Sequence, residues 1–345
     1  MFSNSRTWAK FRHTPLGVKL RILKARWFVK HELLWDIVDA CPMRCPTCPT
    51  GIQPSRDGHK MSIRTFRNIL DKLQYEDKIK IYKIQLYRWS DPLLHPDLHL
   101  FIEECNRRGI RSATSSVLQA MNCDLEKVLA AKPTEFRVSF SGWRSMHIHQ
   151  KGANPERFMK NLEIVSRIPT SPKTQRIFFF HRYKDNLDEE SFAKLLAEQH
   201  DFKFVAFEAT YMLYDRIVEN YTGERPYTEA EKAAIDRLTE TPEENISRLK
   251  KKPCEGDYCR MQREEITLDS HGRVQQCQMM YPERFIRGNI MDEPMKDIRK
   301  RIVTEKFCYN CKKSGVIPYS KIFGDPAMTE DPKAIADSWK YREVV

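Results

Sequence analysis

What this sequence lacks narrows it first. No apolar run approaches the ~20 residues that a membrane span requires, so no transmembrane helix is expected. No secretory signal is read at its start, and 345 residues is too long for the small disulfide-stapled class. Its ten cysteines are therefore expected to be thiols in a reducing cytoplasm. Acid is missing from residues 1–30, which hold eight Lys or Arg and so supply eight of the formal net charge of +12. Leu16, Leu20, Leu23, Trp27 and Phe28 share one helical face opposite those cations. The segment reads as a basic helix lying on the outside of its own domain. Contact with an anionic surface or acidic partner is a second reading, and a transit peptide a third.

What is present is a globular composition, 41% hydrophobic and 11% aromatic, in a chain long enough for one full domain and a smaller one. The organising stretch runs from Asp39 to Gly51 and carries Cys41, Cys45 and Cys48 at C-x3-C-x2-C spacing. Zinc sites usually present four ligands, most simply as two C-x2-C pairs. Three thiolates suit instead a [4Fe–4S] cluster with one iron left for another ligand. Glu32–Asp39 ahead of them reads as a strand, which hangs the loop where open α/β sheets place their ligands.

Strand and helix patterns then alternate. Helices are expected at 62–73, with Ser62 as N-cap, and at 97–107, 124–131, 154–167 and 189–198. Strands are expected at 80–87, 109–117, 134–141, 175–183 and 202–210. Six such alternations mean parallel β/α units with functional residues at the strands' C-terminal ends. Residues 211–253 break the pattern, with charged helices at 228–238 and 242–249. Strands at 265–268 and 273–276 around Asp269-Ser270-His271-Gly272 make a hairpin, followed by a helix near 294–303. Five cysteines, Cys254, Cys259, Cys277, Cys308 and Cys311, return in this region. By ligand type alone the last four suit zinc or an iron–sulfur cluster equally. Cys105 and Cys123 read as packed thiols.

The triad after a first strand resembles the radical S-adenosylmethionine (SAM) superfamily, and C-x12-G-x4-C followed by C-x2-C resembles the twitch form of the SPASM domain. The resemblance implies a partial (β/α)6 barrel core and a small C-terminal hairpin-and-helix subdomain. It implies a [4Fe–4S] cluster on Cys41, Cys45 and Cys48, SAM on its open iron, and cleavage to a 5′-deoxyadenosyl radical that abstracts hydrogen from substrate. It implies a second [4Fe–4S] cluster on Cys259, Cys277, Cys308 and Cys311.

Where the family has Gly-Gly-Glu-Pro, this chain has Trp89-Ser90-Asp91-Pro92; where Thr-Asn-Gly is frequent, it has Thr114-Ser115-Ser116. Carried over position by position, Ser90, Asp91, Ser115, Ser139, Ser141 and Arg182 are the expected SAM-binding residues. The expected organisation is a basic segment 1–30, core 31–215, helical bridge 216–253, auxiliary-cluster subdomain 254–315 and tail 316–345. The expected reaction is on a carbohydrate- or aminoglycoside-like substrate: epimerisation with Cys254 returning hydrogen, dehydrogenation to a ketone, or modification of a ribosomal peptide. A zinc-stabilised binding protein is the non-enzymatic alternative. Tyr87, Arg88, Glu208 and Tyr211 are candidate substrate contacts. Expected partners are a sugar-like small molecule and an electron donor such as flavodoxin or ferredoxin, with no nucleic acid.

Overall fold

The computed structural model describes residues 29–52, 57–250 and 259–314. Cys254, nearly all of the basic segment and the tail from 316 lie outside the described residues. The first half alternates as β1 (Lys30–Trp35), α1 (Pro49–Ile52), α2 (Ile63–Asp71), β2 (Lys80–Gln85), α3 (Leu98–Arg107), β3 (Arg111–Ser116), α4 (Leu125–Ala130) and β4 (Glu135–Phe140). It continues through α5 (Met146–His149), α6 (Pro155–Arg167), β5 (Gln175–Arg182), α7 (Glu190–Gln199) and β6 (Lys203–Glu208). Helices α8 (Tyr214–Tyr221), α9 (Glu229–Ile235) and α10 (Pro242–Lys250) follow. The chain then runs through α11 (Arg260–Arg263), β7 (Glu265–Leu268), β8 (Arg273–Gln275), β9 (Ile286–Asn289), α12 (Met295–Thr304) and α13 (Lys306–Ser314).

The expected helix starts are chemically marked. Ser62, Asp124, Asn154 and Thr228 are N-caps whose side chains accept the amide hydrogen of Thr65, Lys127, Arg157 and Glu231. Thr228 and Glu231 complete a reciprocal capping box. No helix among the described residues is long and apolar enough to cross a membrane.

One nine-stranded sheet runs β6-β5-β4-β3-β2-β1-β7-β8-β9. Strands β1 to β6 are parallel, as the alternation predicts. The hairpin β7–β8 does not stand apart from them: β7 pairs in parallel with β1, Glu32 opposite Glu265 and Trp35 opposite Leu268. The last strand, β9, closes this edge antiparallel to β8. The architecture is thus a partial (β/α)6 barrel whose sheet is extended by the C-terminal hairpin.

Successive side chains on a strand face opposite ways. Leu33, Trp35, Ile84, Leu86, Phe136, Val138, Phe140, Phe178 and Phe180 pack with the helices in the main core. On the other face of β1, β2 and β4, several polar residues bind one another. Lys83 Nζ donates to Glu135 Oε1 at 2.7 Å and lies 3.9 Å from Glu32 Oε1. Gln85 Nε2 donates to Glu32 Oε1 at 2.9 Å, and Arg137 bonds both Glu135 and the Tyr87 hydroxyl. Burying two cations beside two carboxylates is tolerable because each is paired and hydrogen-bonded. A second core of Tyr211, Leu213, Tyr214, Ile217, Met279, Met280 and Phe285 lies under α8 and the C-terminal elements. Cys259, Cys277 and Cys311 pack against it.

Candidate metal centres at the strand ends

The chain leaves β1 through Asp36 and enters the three-cysteine loop. Cys48 N donates to the Cys45 carbonyl at 3.1 Å and Gly51 N to the Cys48 carbonyl at 3.0 Å, so the loop coils on itself into α1. Gly51 has no alternative residue. A Cβ there would lie 2.1 Å from the Cys45 carbonyl oxygen and 2.6 Å from its nitrogen, contacts that only backbone movement relieves.

Segments following four other strands converge on this loop. After β2, the Trp89 carbonyl accepts from Thr50 Oγ1 at 2.7 Å. After β4, the Lys151 carbonyl accepts from Arg44 N at 2.8 Å. After β5, the Tyr183 hydroxyl meets Thr47 Oγ1 at 3.3 Å; after β6, Met212 N donates to the Thr47 carbonyl at 2.9 Å. Tyr183 is in turn stacked on His149, 3.5 Å between ring centres, and His149 Nε2 bonds Asp185 at 2.7 Å. The Cys45 thiol is pushed well up by burial and by the nearby Cys48 and Cys41.

Two carboxylates absent from the sequence reading set the loops' shape. Asp36 accepts the backbone N–H of Arg88 at 2.7 Å, of Trp89 at 3.0 Å and of Ser90 at 3.0 Å, plus the Ser90 hydroxyl. Glu189 accepts from Arg144 N at 2.9 Å and Ser145 Oγ at 3.0 Å, fixing the turn after β4. Gly142 opens that turn at φ +98°, and a Cβ would strike Ser145 Oγ at 2.3 Å. An acid just beyond a strand was the only signal for Asp36; its partners lie more than fifty residues on.

The expected SAM-binding residues divide. Ser90, Ser115, Ser139 and Ser141 all sit at or just beyond strand ends on the cysteine-loop side, Ser115 Oγ and Ser139 Oγ 3.4 Å apart. Ser141 Oγ and Trp89 Nε1 are buried with no hydrogen-bond partner. Each leaves one hydrogen-bonding group available to a polar ligand. Asp91 is there too, but its carboxylate turns into the fold, accepting from Ser116 Oγ at 2.8 Å, Leu93 N at 3.1 Å and Val117 N at 3.2 Å. Arg182 is held in a fork by Glu190, 2.7 Å from each nitrogen, and by Glu208 at 3.3 Å. Of the candidate substrate contacts, Tyr87 is engaged by Arg137, Glu208 by Arg182 and Thr239, and Tyr211 by Glu231 in the second core. Cys105 is fully buried in the main core and Cys123 packs against it.

The second cysteine set comes together from separate elements. Cys259 precedes α11, Cys277 follows β8, and Cys308 and Cys311 lie one turn apart on α13, a helix the sequence reading left unassigned. All four line one pocket with Tyr214, Met279, Met280 and Phe307. Burial and then the proximity of Cys308, Cys259 and Cys311 push the Cys277 thiol well up. Gln276 Nε2 donates to Cys308 Sγ at 2.9 Å. Among the described residues, no three His, Cys, Asp or Glu side chains close on a point that a single metal ion would occupy.

The fold, a parallel sheet extended by a cysteine-bearing C-terminal hairpin, is shared with solved structures. The chain is similar to Streptococcus suis SuiB bound to its precursor peptide SuiA, at 13% identity and TM-score 0.56 over 84% of this chain and 68% of that one. It is also similar to anSMEcpe with bound AdoMet, at 12% identity and TM-score 0.52 over 90% of this chain and 99% of that one. No family model matches the chain, and no curated protein matches its sequence.

Proposed function

We propose that this protein is a radical SAM enzyme that reductively cleaves SAM and abstracts hydrogen from a polyhydroxylated or amino-substituted small molecule, with epimerisation as the outcome. The convergence of segments following β2, β4, β5 and β6 on the three-cysteine loop carries this reading. When bound, a reduced [4Fe–4S] cluster on Cys41, Cys45 and Cys48 supplies the electron for SAM cleavage. The chain's own residues hold and shield that chemistry. Asp36 fixes Arg88–Ser90, while Trp89 Nε1 and Ser141 Oγ offer a donor and a hydroxyl to the ligand. The stacked Tyr183 and His149 wall the loop. Arg182 and the Asp91 carboxylate are left out of the SAM set, because Glu190 and Ser116 already satisfy them.

A second [4Fe–4S] cluster is assigned to Cys259, Cys277, Cys308 and Cys311. Zinc draws four thiolates to about 2.3 Å from one ion, whereas a cluster gives each thiolate a different iron. Four thiols around one pocket suit either group, and their pairing with the three-cysteine loop in one chain favours the cluster. The polar inward set of Glu32, Lys83, Gln85, Tyr87, Glu135 and Arg137 supports a hydroxylated substrate, and Cys254 supports hydrogen return. An electron donor of the flavodoxin or ferredoxin kind is required, and the net charge of +12 favours an acidic one. A peptide substrate is the second reading, since SuiB and anSMEcpe were each solved with a bound peptide.

The test is iron, sulfide and product analysis of protein purified without oxygen. Two clusters and reductant-dependent 5′-deoxyadenosine are expected. Replacing Cys41, Cys45 and Cys48 by Ala together removes one cluster and all SAM cleavage. A zinc-loaded protein that leaves SAM intact overturns the proposal.

A further inference from the structure

Arg88 lies between the backbone that holds the three-cysteine loop and the residues that line the four-cysteine pocket. Its backbone is fixed on the side of the three-cysteine loop: Arg88 N donates to Asp36, and the next residue's carbonyl accepts from Thr50, two residues after Cys48. Its guanidinium lies over the Trp89 ring, 3.8 Å from the centroid. From there Nε donates to the carbonyl of Gln278 at 2.6 Å, next to Cys277, and Nη2 reaches Met279 Sδ at 3.5 Å. Met279 lines the four-cysteine pocket. Burial disfavours the charged guanidinium, and Asp36, Cys48, Glu265 and Cys277 favour it.

Both fixed carboxylates in that set are themselves tied down, Asp36 by the 88–90 backbone and Glu265 by Gln278 Nε2 at 2.8 Å. Removing the Arg88 charge takes one positive charge from beside these two carboxylates. A half-buried guanidinium between two centres acts through protein rather than water, where screening is weak. A centre that gains negative charge on reduction is stabilised by a nearby cation, and its potential rises.

We infer that Arg88 is the shared cation of the two cysteine sites, a positioning residue whose charge raises the reduction potential of both clusters. This rests on the two-cluster reading above. It also explains why the chain carries an arginine just before the Trp-Ser-Asp-Pro turn, where backbone alone serves to shape the loop. The charge, and not merely the hydrogen bond to Gln278, is the functional element.

The experiment is an EPR-monitored redox titration of wild type, Arg88→Gln, Arg88→Met and Arg88→Lys, each reconstituted without oxygen and counted for iron. Arg88→Gln keeps a donor for the Gln278 carbonyl but no charge, and Arg88→Lys keeps the charge but not the fork. The expected result is a negative shift of both midpoints in Arg88→Gln and Arg88→Met, with Arg88→Lys close to wild type. Arg88→Gln carries the test even where Arg88→Met fails to fold. Unmoved midpoints in an Arg88→Gln protein holding two clusters overturn the role of Arg88 alone. A wild type with iron for only one cluster overturns the two-cluster reading, and the inference with it.

Discussion

Asp36 holds Ser90 twice: its Oδ1 accepts the Ser90 backbone N–H at 3.0 Å and also the Ser90 hydroxyl. With the N–H groups of Arg88 and Trp89 on the same carboxylate, the turn after β2 is moulded around the residue that ends β1. The family pattern places two glycines where this chain has Trp89 and Ser90. A carboxylate that gathers successive backbone N–H groups imposes a turn on residues that carry side chains. Asp36→Ala leaves those donors buried without an acceptor, at about 1–3 kcal/mol per group. The expected outcome is a loss of at least about 3 kcal/mol in chemical unfolding, together with loss of reductant-dependent 5′-deoxyadenosine. Wild-type stability in Asp36→Ala refutes this account of the turn.

Gly51 makes a sharper prediction. A methyl group placed 2.1 Å from the Cys45 carbonyl forces the loop backbone itself to move. Gly51→Ala is expected to lose the cluster of the three-cysteine loop while keeping the other, seen as a halved iron count and one missing EPR signal. The helical far-ultraviolet signal stays, because α1 is only four residues long. A full iron count in this variant means the loop has slack that the geometry denies.

The Asp91 carboxyl gives a pH dependence. Burial raises it from the ordinary 3.8 to about 6, outweighing the donors from Ser116, Leu93 and Val117 that favour its ionised form. Between those two values the folded protein binds a proton that the unfolded chain has lost. The group's stabilising contribution is therefore complete below about 3.8 and is lost as pH rises through about 6. Two pH units correspond to at most about 3 kcal/mol. Asp91→Asn, which cannot ionise, is expected in urea unfolding to gain stability relative to wild type as pH rises from 4 to 6. Equal slopes in the two proteins exclude Asp91 as the titrating group.

Local chemistry made the first half of the chain legible. Alternating periods located β1 to β6, and Ser62, Asp124 and Asn154 marked helix starts because each places an oxygen over an exposed backbone N–H. Cysteine spacing marked the loop after β1 and the four residues that line one pocket. What stayed hidden depends on contacts distant in sequence. Nothing local says that Glu265–Leu268 lies beside β1, more than two hundred residues away, so the hairpin read as a separate unit. Strand β9 has four residues, one of them Gly288 at φ +149°, too short and irregular to show a period. Helix α8 was missed because its buried face includes Asp215, Arg216 and Glu219. Arg216 is satisfied there by Glu231, at 2.7 Å, and Glu219, at 2.6 Å. Arg182 read as a free cation only because Glu190 and Glu208 come from elements whose adjacency the sequence does not state.

The last prediction concerns the fate of the substrate radical. Abstraction of hydrogen leaves a carbon-centred radical with two simple exits. Loss of one electron and one proton from an alcohol carbon gives a ketone, and the electron must go to an acceptor, here the four-cysteine centre. Gain of a hydrogen atom from a thiol gives the epimer, and leaves a thiyl radical that an external one-electron donor and a proton restore. If all four of Cys259, Cys277, Cys308 and Cys311 ligate, that centre has no open position for substrate, yet it still accepts an electron through space. Its presence therefore does not choose between the exits. The proposed epimerisation turns on Cys254, five residues before Cys259, because dehydrogenation has no use for such a thiol. In deuterium oxide, where the thiol exchanges, wild-type product is expected to carry one solvent deuterium at the inverted carbon. Cys254→Ala is expected to form 5′-deoxyadenosine at a wild-type rate with no epimer. A wild-type product two hydrogens lighter than substrate, unchanged by Cys254→Ala, assigns the enzyme to dehydrogenation instead.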